Sequence, residues 1–151
     1  MRGFTMIELA VTIVVVALLA AIAMPYLGKS ISTSRTRTLI AKFTQDFAWL
    51  RNAASTSSSV VTLTLNANCS WSGVVDSTAD SSHSMSLTQI NNSSAGLSCA
   101  GQSQALPITF TFSRQGFVSP AATFTFTAST SQQWPVQVLG SGTVAITTGG
   151  S

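Results

Sequence analysis

The sequence predicts an α+β chain: one long N-terminal helix, membrane-spanning in its first half and packed by its second half on an antiparallel β-rich head. Three observations carry this. Leu9 to Met24 is apolar apart from Thr12 and holds no charge, as in a helix that crosses lipid and must satisfy its own backbone hydrogen bonds. Leu39, Ile40, Phe43, Phe47, Leu50 and Ala54 then follow helical spacing and share one face. Beyond residue 60 the apolar period becomes two, the period of strands.

Taken in order, residues 4–28 form the hydrophobic helix. Glu8 is its anomaly, because an ionised carboxylate at hydrocarbon depth costs about 3 kcal/mol on insertion scales; in the headgroup layer it would flank an ordinary anchor. Pro25 removes a backbone donor and, with Gly28, marks a kink. Residues 29–54 continue the helix amphipathically, with Arg35, Arg37, Lys42, Gln45, Asp46 and Arg51 around the face not occupied by the apolar stripe. The basic residues among them read either as a solvated face or as contacts to lipid headgroups or acidic neighbours. From Phe4 to Ala54 the rod is about 75 Å long. Ser55-Thr56-Ser57-Ser58-Ser59 ends it.

Residues 55–151 then form the head. Val61, Leu63 and Leu65 alternate with threonine, as do Ile108, Phe110 and Phe112, and Phe124 and Phe126. Short strands are expected at 70–75, 84–90 (with Met85 and Leu87 on one side), 134–140 and 143–147. Such alternation argues one antiparallel sheet, or two small ones, with a wet face. Ser113-Arg114-Gln115-Gly116 reads as a hairpin turn, Pro135 suits an edge strand or a strand start, and Gly140 and Gly142 mark the last turn. Residues 66–101 are the least regular part, a Ser/Thr-rich loop holding both cysteines. Gly149-Gly150-Ser151 reads as a loose tail.

Composition removes several function classes. Charged residues make up 7% of the chain, against ~25% in ordinary soluble proteins. The net charge of +3 is unevenly placed: after residue 54 the basic side chain is Arg114, set against Asp76 and Asp80. Nucleic-acid binding needs clustered cations, so DNA is not expected as a partner. His83 with Asp76, Asp80 and nearby serines is a weak candidate triad without nucleophile-elbow spacing. One histidine and two cysteines are too few for a metal centre, and no phosphate loop is present. The chain is therefore read as neither an enzyme nor a cofactor protein, with no catalytic or metal site.

The start of the chain, Gly3-Phe4-Thr5-Met6-Ile7-Glu8-Leu9, resembles the prepilin signature of type IV pilins and type II secretion pseudopilins. The resemblance covers residues 2–27 closely. It implies a leader of residues 1–3, cleavage between Gly3 and Phe4 by a prepilin peptidase, and N-methylation of Phe4. Phe4 and Glu8 are four residues apart, hence on one side of a helix and about 6 Å apart along its axis. A freed amine on Phe4 of one subunit could neutralise Glu8 of another, which would make Glu8 a register device in assembly. The resemblance also implies a cytoplasmic N-terminus, an inner-membrane precursor with a periplasmic head, and later residence in a filament. Flanking charge alone points the other way, since Arg2 precedes the span while Lys29, Arg35 and Arg37 follow it. Cys69 and Cys99 fit a disulfide in an oxidising compartment, with two free thiols as the alternative.

More loosely, the long helix, the F-x-R-x-G-F turn at 112–117 and the closing V-L-G-S-G-T-V-A-I stretch are similar to the GspH/FimT group of minor pilins and pseudopilins. That implies a minor subunit that primes and assembles a type IV pilus or a type II secretion pseudopilus at the filament tip. Its partners would be other minor and major pilins or pseudopilins, the prepilin peptidase, the inner-membrane assembly platform and membrane lipid. The alternative is a DNA- or surface-binding minor pilin in DNA uptake or adhesion, with Arg114, Arg35 and Arg37 as contacts. Members that bind DNA carry Gly-Arg-x-Arg near the last strand; here Gly140-Ser141-Gly142-Thr143 holds no arginine.

Overall fold

The computed structural model describes residues 5–57 and 59–147; within the first helix it leaves out the side chains of residues 23–25 and 27. The expected cleavage site at Gly3–Phe4 and the C-terminal tail lie outside these residues. Helix α1 runs from Met6 to Thr56. Thr5 caps it, its side chain accepting a hydrogen bond from the Glu8 N–H at 3.3 Å. The helix passes through Pro25 and Gly28 without interruption. Among the described residues no helix is long and apolar enough to cross a membrane.

The head is a pair of antiparallel sheets. The first has the order β3-β2-β1-β5-β6 and the second β4-β7-β8-β9. Strands β1 (Val61–Leu65), β2 (Trp71–Val75) and β3 (Thr78–Met85) form a meander. Its β2–β3 turn places Asp76 and Ser77 at φ 51° and 62°, as the commonest two-residue hairpin turns require. Helix α2 (Leu87–Ser93) follows, then β4 (Ser98–Gly101), β5 (Ile108–Phe112), β6 (Val118–Ser119), β7 (Ala122–Thr127), β8 (Gln133–Val138) and β9 (Val144–Ile146). The sequence expectation of short alternating strands holds for β1 and β5. Their inward residues are buried and pair in register, Leu63 with Phe110 among them.

Two expectations are corrected. Residues 84–90 are not a strand: β3 ends at Met85, and Ser86 begins α2 with a capping box in which its side chain and that of Gln89 bond reciprocally to backbone N–H groups. Leu87 is consequently exposed and Ile90 is the buried anchor. Residues 66–101 are not a loop either, since they contain β2, β3, α2 and β4. Serine and threonine at the outward positions made these strands look irregular.

The core lies where α1 meets both sheets. Phe43 stacks edge-on against Trp71 of the first sheet (5.4 Å between ring centroids) and against Phe124 (5.6 Å) and Phe126 (5.8 Å) of the second. Phe47 continues the contact to Phe110 and Phe112. All six of these aromatic partners and Phe43 itself are buried, and edge-to-face pairs add about 0.5–1.5 kcal/mol each beyond their area. The approach is close enough that a Cβ on Gly73 would lie 3.0 Å from the Leu50 side chain and from the His83 carbonyl oxygen.

Cys69, in the β1–β2 turn, is bonded to Cys99 in β4, with their Cα atoms 5.4 Å apart. The bond therefore joins one sheet to the edge strand of the other. Closing a loop with a separation of 30 residues stabilises by roughly 3.5 kcal/mol in the chain-entropy model. Reduction is expected to lower the stability of the full chain by about that amount, measured by chemical denaturation with and without reductant. An unchanged denaturation midpoint would show that packing alone holds β4 in place.

Candidate functional site

The side chains that bear on function lie along α1. In its first half Met6, Ile7, Leu9, Val11, Ile13, Val14, Val16, Leu18, Leu19 and Ile22 are exposed on all sides. A contiguous apolar surface of this size marks a contact with lipid or with other apolar chains. Glu8 is exposed in the first turn. There a carboxylate is favoured by the helix dipole by about 0.3–1 kcal/mol, so Glu8 helps start the helix whatever else it does.

In the second half, the five cations, read from sequence either as a solvated face or as contacts to lipid headgroups or acidic neighbours, divide into two kinds. Lys29, Arg35 and Arg37 are exposed. Lys42 and Arg51 are tied into the head. The Lys42 ammonium donates to both Asp46 carboxylate oxygens, at 2.9 and 2.8 Å, and to the Ser82 carbonyl at 3.3 Å. The indole N–H of Trp71 donates to Asp46 Oδ2 at 2.9 Å. Asp46 is thus a buried carboxylate, 3% exposed, and not the surface residue expected. Arg51 donates from Nε to the Gly116 carbonyl at 2.9 Å, and lies so near Gly142 that a Cβ there would meet it. It clamps the β5–β6 turn and the β8–β9 turn to the helix. Gly142, at φ 79°, suits both the turn and the crowding.

The remaining expected contacts do not converge. Arg37 borders a cleft against the β7–β8 turn, Arg35 lies outside that lining, and Arg114 sits in the β5–β6 turn, where it makes an interaction of its own. His83 stacks flat on Trp49, with centroids 3.6 Å apart, and its Nδ1 lies 2.7 Å from Asp80 Oδ2. Partial burial pushes the Asp80 carboxyl up. Hydrogen bonds from the His83 ring and from the Ser82 and His83 N–H groups outweigh it and hold the carboxyl below the ordinary aspartate range. Among the described residues no serine hydroxyl is bonded to the other His83 nitrogen, so the geometry is that of a packed surface pair. The hydroxyl pairs Thr36–Ser94 (2.7 Å, buried) and Ser32–Ser129 (3.1 Å), which sequence reasoning missed, pin α1 to α2 and to the β7–β8 turn.

A family model described as type II transport protein GspH matches residues 39–143, from the first core residue of α1 to the turn that Arg51 holds. The chain belongs to the GspH family. A second model, the prokaryotic N-terminal methylation motif, matches residues 1–24 of this GspH-family protein. No curated protein and no solved structure is similar to it. Together the two matches make it a pseudopilin or minor pilin of type II secretion or pilus assembly. The family is structural and not a known enzyme family. Membership implies membrane anchoring and assembly with other pilins and a prepilin peptidase.

Proposed function

We propose that this protein is a minor subunit that primes a pilus or pseudopilus and resides at or near the filament tip, its head turned towards other minor subunits. Its precursor is anchored in the inner membrane by residues 4–28, with the N-terminus cytoplasmic and the head periplasmic. Prepilin peptidase removes residues 1–3, Phe4 is N-methylated, and Glu8 sets the axial register against the Phe4 amine of a neighbour. The helix is continuous through Pro25 and Gly28 in the single chain, and in the filament it locally stretches or melts there, where the proline removes a backbone donor. The observation that carries the reading is the exposed apolar half of α1, which projects beyond the head with one carboxylate in its first turn. DNA capture has less support, because Lys42 and Arg51 are engaged within the fold.

The test is the mass of the N-terminal peptide from protein expressed with its peptidase. A peptide beginning at N-methyl-Phe4 is expected, and Gly3→Leu should leave the leader attached. An intact Met1 in the wild-type protein would remove the processing step and the filament role with it.

A further inference from the structure

We propose that the cleft between α1 and the β7–β8 turn binds the phosphate of an anionic phospholipid headgroup and so seats the head on the membrane surface before assembly. The inference rests on the membrane-anchored reading above and adds a ligand to it. The cleft is open and holds about 950 Å³. Tyr26, Lys29, Thr33 and Arg37 line it from the helix, at spacings of three and four, and Thr130 and Ser131 line it from the turn.

Four features suit a phosphate. Lys29 and Arg37 stand about 12 Å apart along the axis, Arg37 at one end of the helical wall and Lys29 one turn in from Tyr26 at the other. Neither makes an ion pair among the described residues, and none of the four acidic residues of the chain lines the cleft. The Thr130 side chain lines the cleft, and its hydroxyl is buried with no hydrogen-bond partner, although such groups are normally satisfied; a χ1 rotation that turns it to a ligand breaks no bond. Finally, the turn is fixed: Ser131 sits at φ 65°, its N–H bonds the Ala128 carbonyl at 2.9 Å, and Ser129 bonds Ser32 of the helix. The backbone of this wall is therefore preformed.

Position selects the lipid as the source of the phosphate. Lys29 follows the last residue of the apolar run, Met24, by about 8 Å of helix, the depth of the headgroups for a helix anchored by that run. Tyr26, 78% exposed, falls where aromatic residues sit at membrane interfaces. Each basic residue near an anionic surface contributes enough that losing two should weaken binding about 30-fold.

The experiment titrates the full chain in detergent with dihexanoyl phosphatidylglycerol and dihexanoyl phosphatidylcholine, reading bound lipid by native mass spectrometry. Preferential binding of the glycerol lipid is expected. Lys29→Gln with Arg37→Gln should lower it about 30-fold, and Thr130→Val should weaken it without changing net charge. Arg35→Gln, outside the cleft, should leave it unchanged. Equal binding of the two lipids, equal loss in Arg35→Gln and Arg37→Gln, or no effect of Thr130→Val overturns the site. Inorganic phosphate that binds as tightly as the lipid overturns the lipid assignment. Because the lipid is presented in detergent, binding is read whether or not the helix inserts in a bilayer. Failure of the anchor is seen separately, as release of the protein from membranes at alkaline pH.

Discussion

Asp46→Ala is expected to destabilise the head by about 3–5 kcal/mol, the cost of breaking a buried, hydrogen-bonded charge pair. That is a large share of the ~5–15 kcal/mol that holds a domain folded. Two groups lose their partner at once. The Trp71 indole N–H, in a residue 1% exposed, would be left buried and unsatisfied at about 1–3 kcal/mol. Lys42 would keep the Ser82 carbonyl but no countercharge. Asp46→Asn separates these contributions, because the amide oxygen still accepts from Trp71 while the charge is gone; its loss should be about half as large. Trp71→Phe leaves the carboxylate with Lys42 and removes one donor. The check is denaturant unfolding of the full chain in detergent, followed by tryptophan fluorescence. A loss under about 1 kcal/mol for Asp46→Ala would mean that the network behaves as an exposed ion pair, and that the aromatic cluster alone fixes the helix on the sheets.

This network also shows what the sequence held and how it was overlooked. Asp46 is three residues after Phe43 and four before Leu50, so it stands on the apolar stripe. Helical spacing already placed it inside, and Lys42 one turn earlier supplied the countercharge. Placing the charged residues together off the apolar stripe conceals both. The aromatic stripe itself was legible, because Phe43, Phe47 and Leu50 need a partner surface and alternating strands such as Ile108–Phe112 provide one. The second sheet was less so. Thr125 was placed on a wet face by alternation, yet it is buried and bonded by the Gln102 side chain at 2.7 Å, a cover supplied from the loop after β4. Alternation reports one buried face and cannot report which segment folds over the other. For α2, the serine–glutamine cap outweighed a strand pattern of a few residues, since capping satisfies backbone donors that alternation ignores. The functional end was legible through residues 1–24, because cleavage and methylation are read from a short sequence at fixed offsets. The cleft beside Thr130 was not, since its two walls are about a hundred residues apart in the chain and nothing local announces their meeting.

Glu8→Ala is expected to leave membrane insertion intact and to lower incorporation into filaments at least 100-fold. Insertion should if anything improve, since removing a carboxylate from an apolar helix relieves up to about 3 kcal/mol on insertion scales. Incorporation should fail because the proposed register uses a charge pair inside a bundle of apolar helices. There the amine on Phe4 of a neighbour would be left buried without its partner, at about 3–5 kcal/mol, which is a factor of 100 or more in an association constant. The exposed position of Glu8 in the single chain is consistent with this, since the pair forms only when a neighbour arrives. A rival account assigns Glu8 to the start of the helix, where Thr5 caps it and the dipole favours a carboxylate by about 0.3–1 kcal/mol. Glu8→Asp separates the two. It keeps the charge favoured by the dipole but shortens the reach to a neighbour's amine, so register predicts a marked loss of incorporation and helix initiation predicts almost none. Circular dichroism of the detergent-solubilised variants supplies the second readout, with helix content unchanged on the register account. Wild-type filament numbers in both variants would leave Glu8 as a first-turn carboxylate that favours the helix start and move the register to apolar packing alone.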